Sequence, residues 1–123
     1  MLDWTPVIEF GGSSTGITYA VQTGKYINLT THCVFSLIIE LSNKGTATGD
    51  AVITGLPVSA AIDTSCAIMG DNLTYSDSLE CVVSGNTIQL INGIKIIDNP
   101  NKNLNNTNFE DISCVKISGT FLL

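Results

Sequence analysis

The sequence predicts an all-β domain built from antiparallel strands. Two observations support this class: apolar segments rich in β-branched and aromatic residues are short, and residues typical of turns separate them. A third is negative, since no segment repeats its apolar residues at the spacing of an amphipathic helix. About ten short strands at such intervals are typical of a sandwich, a jelly roll or a barrel.

Each predicted strand is a short apolar or alternating run. The alternation is clearest between residues 33 and 41, where every second residue is apolar and one face is therefore expected to be buried. In chain order the predicted strands are Trp4–Phe10, Ile17–Gln22, Lys25–Thr31, Cys33–Leu41, Ala51–Thr54, Val58–Ile62, Cys66–Met69, Leu79–Ser84, Thr87–Ile91, Ile94–Ile97 and Ile112–Leu122.

The segments between these strands carry turn residues. Gly11-Gly12, Thr23-Gly24 and Ser84-Gly85-Asn86 are predicted turns, and Asn92-Gly93 is the strongest hairpin signal because a type I′ turn requires positive φ at both positions. The asparagine-rich stretch Asp98–Asp111 is predicted to be an exposed loop before the last strand, ordered by Asx-turns and by packing of two apolar side chains, Leu104 and Phe109.

Size and charge restrict the function. The 123 residues fit a single domain spanning residues 1–123, which could be one domain excised from a longer protein. The net charge is −6 and arginine is absent, so nucleic-acid binding, which needs a basic surface, is excluded. No signal peptide and no stretch long enough to span a bilayer is present, so no membrane insertion is expected.

Few side chains are charged. Charged residues make up 13% of the chain and hydrophobic residues 44%, whereas about a quarter of an average domain is charged. Part of the surface is therefore expected to be hidden against copies of the same chain. A neutral ligand rich in hydroxyl groups, such as a glycan, is compatible with the acidic charge.

The four cysteines, Cys33, Cys66, Cys81 and Cys114, include no CxxC pair, so a structural zinc site is not expected. No other cofactor is predicted. We expect four free thiols that pack as small hydrophobic side chains. A disulfide framework is the alternative, and its pairing is not determined by the sequence.

Three motifs suggest catalysis or ligand binding, but each has a simpler structural interpretation. Gly11–Gly16 lacks the ending of a phosphate-binding loop, so it is read as a turn. His32, the sole histidine, is read as a turn residue rather than a catalytic base, although three copies on a trimer axis could bind a metal. The acids Asp71, Asp77, Glu80, Asp98, Glu110 and Asp111 could supply a glycosidase pair, but they are placed in or beside turns. No enzyme is predicted.

The predicted receptor-binding site lies around Tyr75. Aromatic rings stack on sugar rings, and three flanking polar residues, Asp71, Asn72 and Asp77, could bond sugar hydroxyls. The alternative is that Tyr75 anchors its own loop.

The order of landmarks in the first half of the chain resembles the C-terminal receptor-binding and trimerisation domain of bacteriophage tail-fibre and tailspike proteins. The landmarks are Trp4-Thr5-Pro6, Phe10-Gly11-Gly12, Gly16-Ile17-Thr18-Tyr19, Gly24-Lys25-Tyr26, Lys44-Gly45, Thr48-Gly49 and Gly55-Leu56-Pro57, with Ile117–Phe121 resembling the closing strand. Residues 58–111 hardly match, and the four cysteines and the asparagine-rich stretch depart from the family's pattern.

This resemblance implies a jelly-roll-like antiparallel β-sandwich that assembles as a homotrimer. It implies a viral protein of the virion, at the distal end of a tail fibre or spike, that mediates host adhesion. Its partners would be copies of itself and a host cell-surface glycan or protein, contacted by loops such as Ser65–Ser78 and Asp98–Asp111. A stand-alone, monomeric carbohydrate-binding module is the alternative function.

Overall fold

The computed structural model describes residues 1–75, 78–93 and 103–123, and these residues form an antiparallel β structure with a single turn of 3₁₀ helix. The strands are β1 (Leu2–Trp4), β2 (Val7–Phe10), β3 (Ile17–Asn28), β4 (His32–Lys44), β5 (Ala51–Thr54), β6 (Thr64–Leu73), β7 (Leu79–Ser84), β8 (Thr87–Asn92) and β9 (Phe109–Leu122); the 3₁₀ turn is Asn106–Asn108. The predicted all-β, antiparallel class is confirmed.

The described strands form one nine-stranded sheet in the order β1-β3-β4-β9-β6-β7-β8-β5-β2, and the sheet is curled into a half-barrel. Strand β6 connects its two parts: residues 64–66 pair with β7, whereas residues 67–73 pair with β9. The outermost strands in this order, β1 and β2, follow each other in the chain. A hydrogen bond of 3.1 Å from the Ile8 amide to the Tyr19 hydroxyl joins β2 to β3 and draws the two ends together.

The core lies on the inner face of this curled sheet. The predicted alternation in β4 is confirmed, since its inward side chains from Cys33 to Leu41 are each at most 2% exposed. β9 alternates in the same way, with Val115, Ile117 and Phe121 buried. The rings of Phe35 and Phe121 lie 5.7 Å apart, so adjacent strands contribute to a common core.

Trp4 packs over a glycine of the neighbouring strand. Its side chain is 7% exposed, its indole N–H donates to the Lys25 carbonyl at 3.3 Å, and Trp4 pairs with Gly24 in the β1–β3 ladder. A Cβ atom at Gly24 would lie 2.6 Å from the indole. The prediction of a turn at Thr23-Gly24 is therefore wrong: the glycine lies inside β3, where its missing side chain leaves space for the indole.

Several predicted strand boundaries were wrong. Ile17–Gln22 and residues 25–28 of the predicted strand Lys25–Thr31 belong to the continuous strand β3, whereas residues 29–31 lie outside it. Trp4–Phe10 divides into β1 and β2 at Thr5-Pro6, since proline cannot donate to a ladder. Val58–Ile62 is not a strand, although Ala60 and Ala61 donate backbone hydrogen bonds to Gly85 and Leu122. The predicted strand Ile94–Ile97 lies outside the described residues.

The described part of the asparagine-rich stretch is not a fully exposed loop, because some of its residues pack into the core. Leu104 is 0% exposed; its amide donates to Leu90 in β8 at 2.9 Å, and its carbonyl accepts from Ala51 in β5 at 2.8 Å. The expected packing of Leu104 and Phe109 is thus confirmed. The prediction that the loop continues to Asp111 is wrong, because β9 begins at Phe109; residues 98–102 lie outside the described part of the chain.

Candidate functional site

One accessible surface of distinctive composition is the outward side of β3, β4, β9 and β6, here called the outer face. Strand pairing aligns its side chains in three rows: Ile27, Val34 and Thr120; Lys25, Ser36, Ser118 and Ala67; and Ile38, Lys116 and Met69. Because β4 and β9 already direct their alternate residues into the core, these side chains point away from it.

The outer face contains two shallow grooves with small residues between them. One groove of about 380 Å³ lies over β3, β4 and β9, and a second of about 310 Å³ lies over β4, β9 and β6. Ser36 and Ser118 are register partners and line both grooves. Their short side chains leave a depression between larger apolar side chains. Side chains that project from a binding partner can enter this depression.

The apolar side chains around this depression are accessible in the single chain. Met69 is 73% exposed, Ile27 42% and Val34 38%. Their charged neighbours are few, and Lys25 is already paired with Asp3 across the β1–β3 ladder. Clustered exposed apolar residues of this kind are typical of surfaces that contact another molecule.

One end of the outer face is more polar. Met69, Asp71, Cys114 and Lys116 line a pocket of about 280 Å³ there. The pKa of the Cys114 thiol is raised, first by burial and then by the nearby carboxylates of Glu40 and Asp71, while Lys116 acts in the opposite direction. The thiol therefore stays protonated at neutral pH, and this pocket lacks an activated nucleophile.

The structure does not gather the predicted receptor-binding residues into one pocket. Tyr75 is 41% exposed and follows β6, but it lines none of the three grooves described above. Asp71 lines the polar pocket, and Asn72 is exposed. Asp77 lies outside the described residues.

Two of these residues lie in a strand rather than in a loop, so the prediction of a receptor-facing loop over Ser65–Ser78 is wrong for residues 65–73. Asp71 pairs with Cys114, and a bulge follows at Asn72, whose φ is +57°. The Asp71 carboxylate accepts a hydrogen bond from the Asn72 amide at 3.1 Å, and the Asn72 carbonyl accepts one from Ser113. These bonds hold the end of β6 against β9.

The segment carrying Tyr75 is anchored on its other side by the 3₁₀ turn. The Thr74 amide donates to the Asn108 carbonyl at 3.0 Å, and the Asn108 side-chain amide donates to the Thr74 carbonyl at 2.7 Å. Asn105 and Asn108 in turn form a capping box. The backbone beside Tyr75 is therefore hydrogen-bonded to the residue that precedes β9, so the exposed ring of Tyr75 projects from an anchored backbone.

The residues named for catalysis in the described part of the chain lie in strands. His32 begins β4, and its Nδ1 lies 3.0 Å from the Thr31 hydroxyl. Asp71, Glu80, Glu110 and Asp111 lie in strands, each within three residues of a strand end. They were predicted to lie in or beside turns, and the part of the prediction that placed them in turns is wrong. Asp77 and Asp98 lie outside the described part. Within residues 1–75, 78–93 and 103–123, no three histidine, cysteine or acidic side chains are close enough together to bind a metal ion.

The four cysteines are free thiols, as predicted. Cys33 and Cys81 are buried, and Cys66 and Cys114 are half-buried. Sequence reasoning missed the outer face, although a signal existed: β4 carries apolar Val34 and Ile38 on the side opposite its core residues, and strands apolar on both faces are usually covered on both.

Comparisons with known proteins add no family assignment. No family model matches the chain, and neither a curated protein nor a solved structure matches it significantly. In the described ranges, no helix has the length and apolar character required to cross a lipid bilayer.

Proposed function

We propose that this chain is a non-enzymatic receptor-binding and trimerisation module at the distal end of a phage tail fibre or tailspike. In this proposal the curled sheet is a jelly-roll-like sandwich, three copies assemble through the outer face, and the receptor is a glycan on the host cell surface. The observation that carries the proposal is the accessible apolar outer face in a chain of which only 13% is charged.

The composition of the outer face favours a second copy of this chain over a nucleic acid or an anionic membrane. With a net charge of −6 and no arginine, the chain would be repelled by either anionic surface. The face itself carries both signs, with Lys116 near Glu40 and Asp71 at the polar end. Identical copies can therefore pair opposite charges at the rim while burying Met69 and Val34.

Sedimentation velocity on the purified chain tests the assembly. We expect a species of three times the 13.0 kDa chain mass at micromolar concentration. Met69→Glu should dissociate it while leaving the monomer folded, because Met69 is 73% exposed and contributes little to the monomer core. Ile62→Glu is the matched control: Ile62 is 62% exposed but lies outside the outer face, so this variant should remain trimeric.

A wild-type chain that sediments only at 13.0 kDa would contradict the trimer. Such a monomer that still bound glycans would instead support the stand-alone carbohydrate-binding module. Equal dissociation by Met69→Glu and Ile62→Glu would exclude the outer face as the specific contact.

A glycan array tests the receptor class. The exposed ring of Tyr75, held on a fixed backbone base, is the proposed stacking surface, with Asp71 and Asn72 as hydroxyl-bonding neighbours. Tyr75→Ala should weaken binding by about fivefold, since stacking of an aromatic ring contributes on the order of 1 kcal/mol. Tyr75→Phe should bind nearly as well; unchanged binding by Tyr75→Ala would remove this site.

A further inference from the structure

Cys66 and Cys81 are direct partners across the β6–β7 ladder. Opposed residues in antiparallel strands have Cα atoms about 4.5–5.5 Å apart, and disulfides span Cα separations of about 4.4–6.8 Å. The backbone therefore already holds the two cysteines at a distance that a disulfide can bridge. The register partners of Cys33 include no cysteine, and neither do those of Cys114.

The two side chains also lie close together. The Cys81 Sγ donates to the Cys66 backbone carbonyl at 3.3 Å, and the neighbouring Cys81 thiol lowers the pKa of the Cys66 thiol, against burial, which raises it. The neighbouring Cys66 side chain and burial in turn raise the pKa of the Cys81 thiol. Of the two, Cys66 is therefore the thiol that ionises first.

The surroundings of Cys66 leave space for its sulfur. A Cβ atom built on Gly119 of β9 would lie 2.5 Å from the Cys66 Sγ, so the sulfur occupies the space that any other residue at position 119 would fill. Cys66 is half-buried, whereas Cys81 is 1% exposed. Cys66 is therefore the more accessible of the two residues, and a small reagent is expected to react with it before Cys81.

We propose that Cys66 and Cys81 are a redox-modification site, a dithiol that a low-molecular-weight disulfide such as oxidised glutathione converts into a cross-strand disulfide. This inference does not depend on the proposed function. The Cys66 thiolate attacks one glutathione sulfur, the glutathione S–S bond breaks, and one glutathione thiolate leaves. Cys81 then loses its proton and attacks the Cys66 sulfur, which releases the second glutathione. Two protein thiols are oxidised and one small disulfide is reduced to two thiols.

The position of the pair gives the modification a structural effect. The β6–β7 ladder has three register pairs, and it connects the β1-β3-β4-β9 part of the described sheet to the β7-β8-β5-β2 part. A disulfide at Cys66–Cys81 would join these parts covalently. Closing a loop of about 15 residues in this way is expected to raise Tm by about 10 °C.

The test is oxidation of the folded chain with oxidised glutathione, followed by alkylation and peptide mass spectrometry. Because Cys66 and Cys81 lie in one tryptic peptide, Gly45–Lys95, a second cleavage after Glu80 is needed to separate them. We expect two of the four thiols to be lost, a Cys66–Cys81 cross-link, and a rise in Tm that dithiothreitol reverses.

Two variants make the result specific. Cys81→Ala should stop the reaction at a glutathione adduct on Cys66, and Cys33→Ala/Cys114→Ala should retain the cross-link and the Tm shift. Should the double variant fail to fold, Cys114→Ala with peptide mapping replaces it. Four reactive thiols after oxidation, or cross-links that involve Cys33, Cys114 or a second chain in place of the Cys66–Cys81 pair, would overturn the proposal.

Discussion

The contact between Trp4 and Gly24 shows how one missing side chain can determine local packing. The indole occupies the space where a Cβ would stand, 2.6 Å away, and the backbone of Gly24 does not adopt positive φ. The requirement for glycine at this position is therefore one of space rather than of backbone conformation. The sequence alone suggested a turn because glycine is common in turns, and this signal does not distinguish the two requirements.

Gly24→Ala is therefore expected to destabilise the domain by about 1–3 kcal/mol, the usual cost of forcing an extra carbon into a packed site. Urea denaturation followed by tryptophan fluorescence measures this directly, since Trp4 is the sole tryptophan. Thr23→Ala, at the exposed neighbouring position, should change stability by less than about 0.5 kcal/mol. Equal effects from the two variants would contradict the packing argument.

Tyr19 is expected to make the stability of the domain depend on pH in the alkaline range. Burial raises the pKa of its phenol above the usual 10.0, the Ile8 amide that donates to it acts in the opposite direction, and Glu9 raises it further. The neutral phenol is favoured in the folded state. Its contribution to the free energy of unfolding is therefore fully present below about pH 10, the pKa in the unfolded chain, and is lost as the pH rises through the raised pKa of the folded state.

Tyr19→Phe removes this titration but also leaves the Ile8 amide without its acceptor, at a cost of about 1 kcal/mol near neutral pH. Urea titrations of both proteins between about pH 8 and pH 11 should show the difference in unfolding free energy narrowing as the pH rises. Comparing the pair cancels the ionisation of the cysteines. A difference that widened with pH would contradict the direction assigned to Tyr19.

At the scale of elements, the sequence predicted which segments form strands better than it predicted where those strands begin and end. The alternation from Cys33 to Leu41 is a local property, so β4 and its inward face could be predicted. The continuity of β3 through Gly24 depends on Trp4 from another strand, and such a contact has no local signal. The pairing of Cys66 with Cys81 could not be predicted for the same reason, since a shift of one residue in register would separate them.

Leu104 is the clearest case of an element defined by distant contacts. Its backbone bridges β5 and β8, and its side chain is fully buried, in a stretch whose composition indicates a loop. Leu104→Ala is expected to cost about 2–5 kcal/mol, measured by urea denaturation. Leu29→Ala is the control, because Leu29 is 44% exposed and should lose well under 1 kcal/mol. A similar, small loss in both variants would mean that Leu104 is not part of the core.

At the scale of the whole molecule, strands that are adjacent in the sheet are often far apart in the sequence. β9, formed by the last residues of the chain, lies between β4 and β6 near the middle of the described sheet. The last strand was predicted as Ile112–Leu122, but the central position of β9 depends on pairings between residues 32–40 and 114–122. Composition and periodicity carry no information on such distant pairings.

Truncations at the two ends should therefore differ sharply. Deleting residues 117–123 removes buried Ile117 and Phe121 from the middle of the sheet and should abolish cooperative folding. Deleting residues 1–3 removes most of the edge strand β1, whose Met1 and Leu2 are 84% and 55% exposed, and should cost only about 1 kcal/mol. Far-UV circular dichroism with urea titration measures both; a cooperative transition in the C-terminal truncation would contradict the central role of β9.

The central position of β9 also has a consequence for biosynthesis. A nascent chain emerges from the ribosome with β4 and β6 already made but with the strand that pairs with both still to be translated. Until β9 has left the ribosome, each of these strands presents an unpaired edge, and unpaired edges promote the aggregation of folding intermediates. We therefore expect this domain to complete its fold only after β9 has been translated, and chains that terminate within β9 to be insoluble.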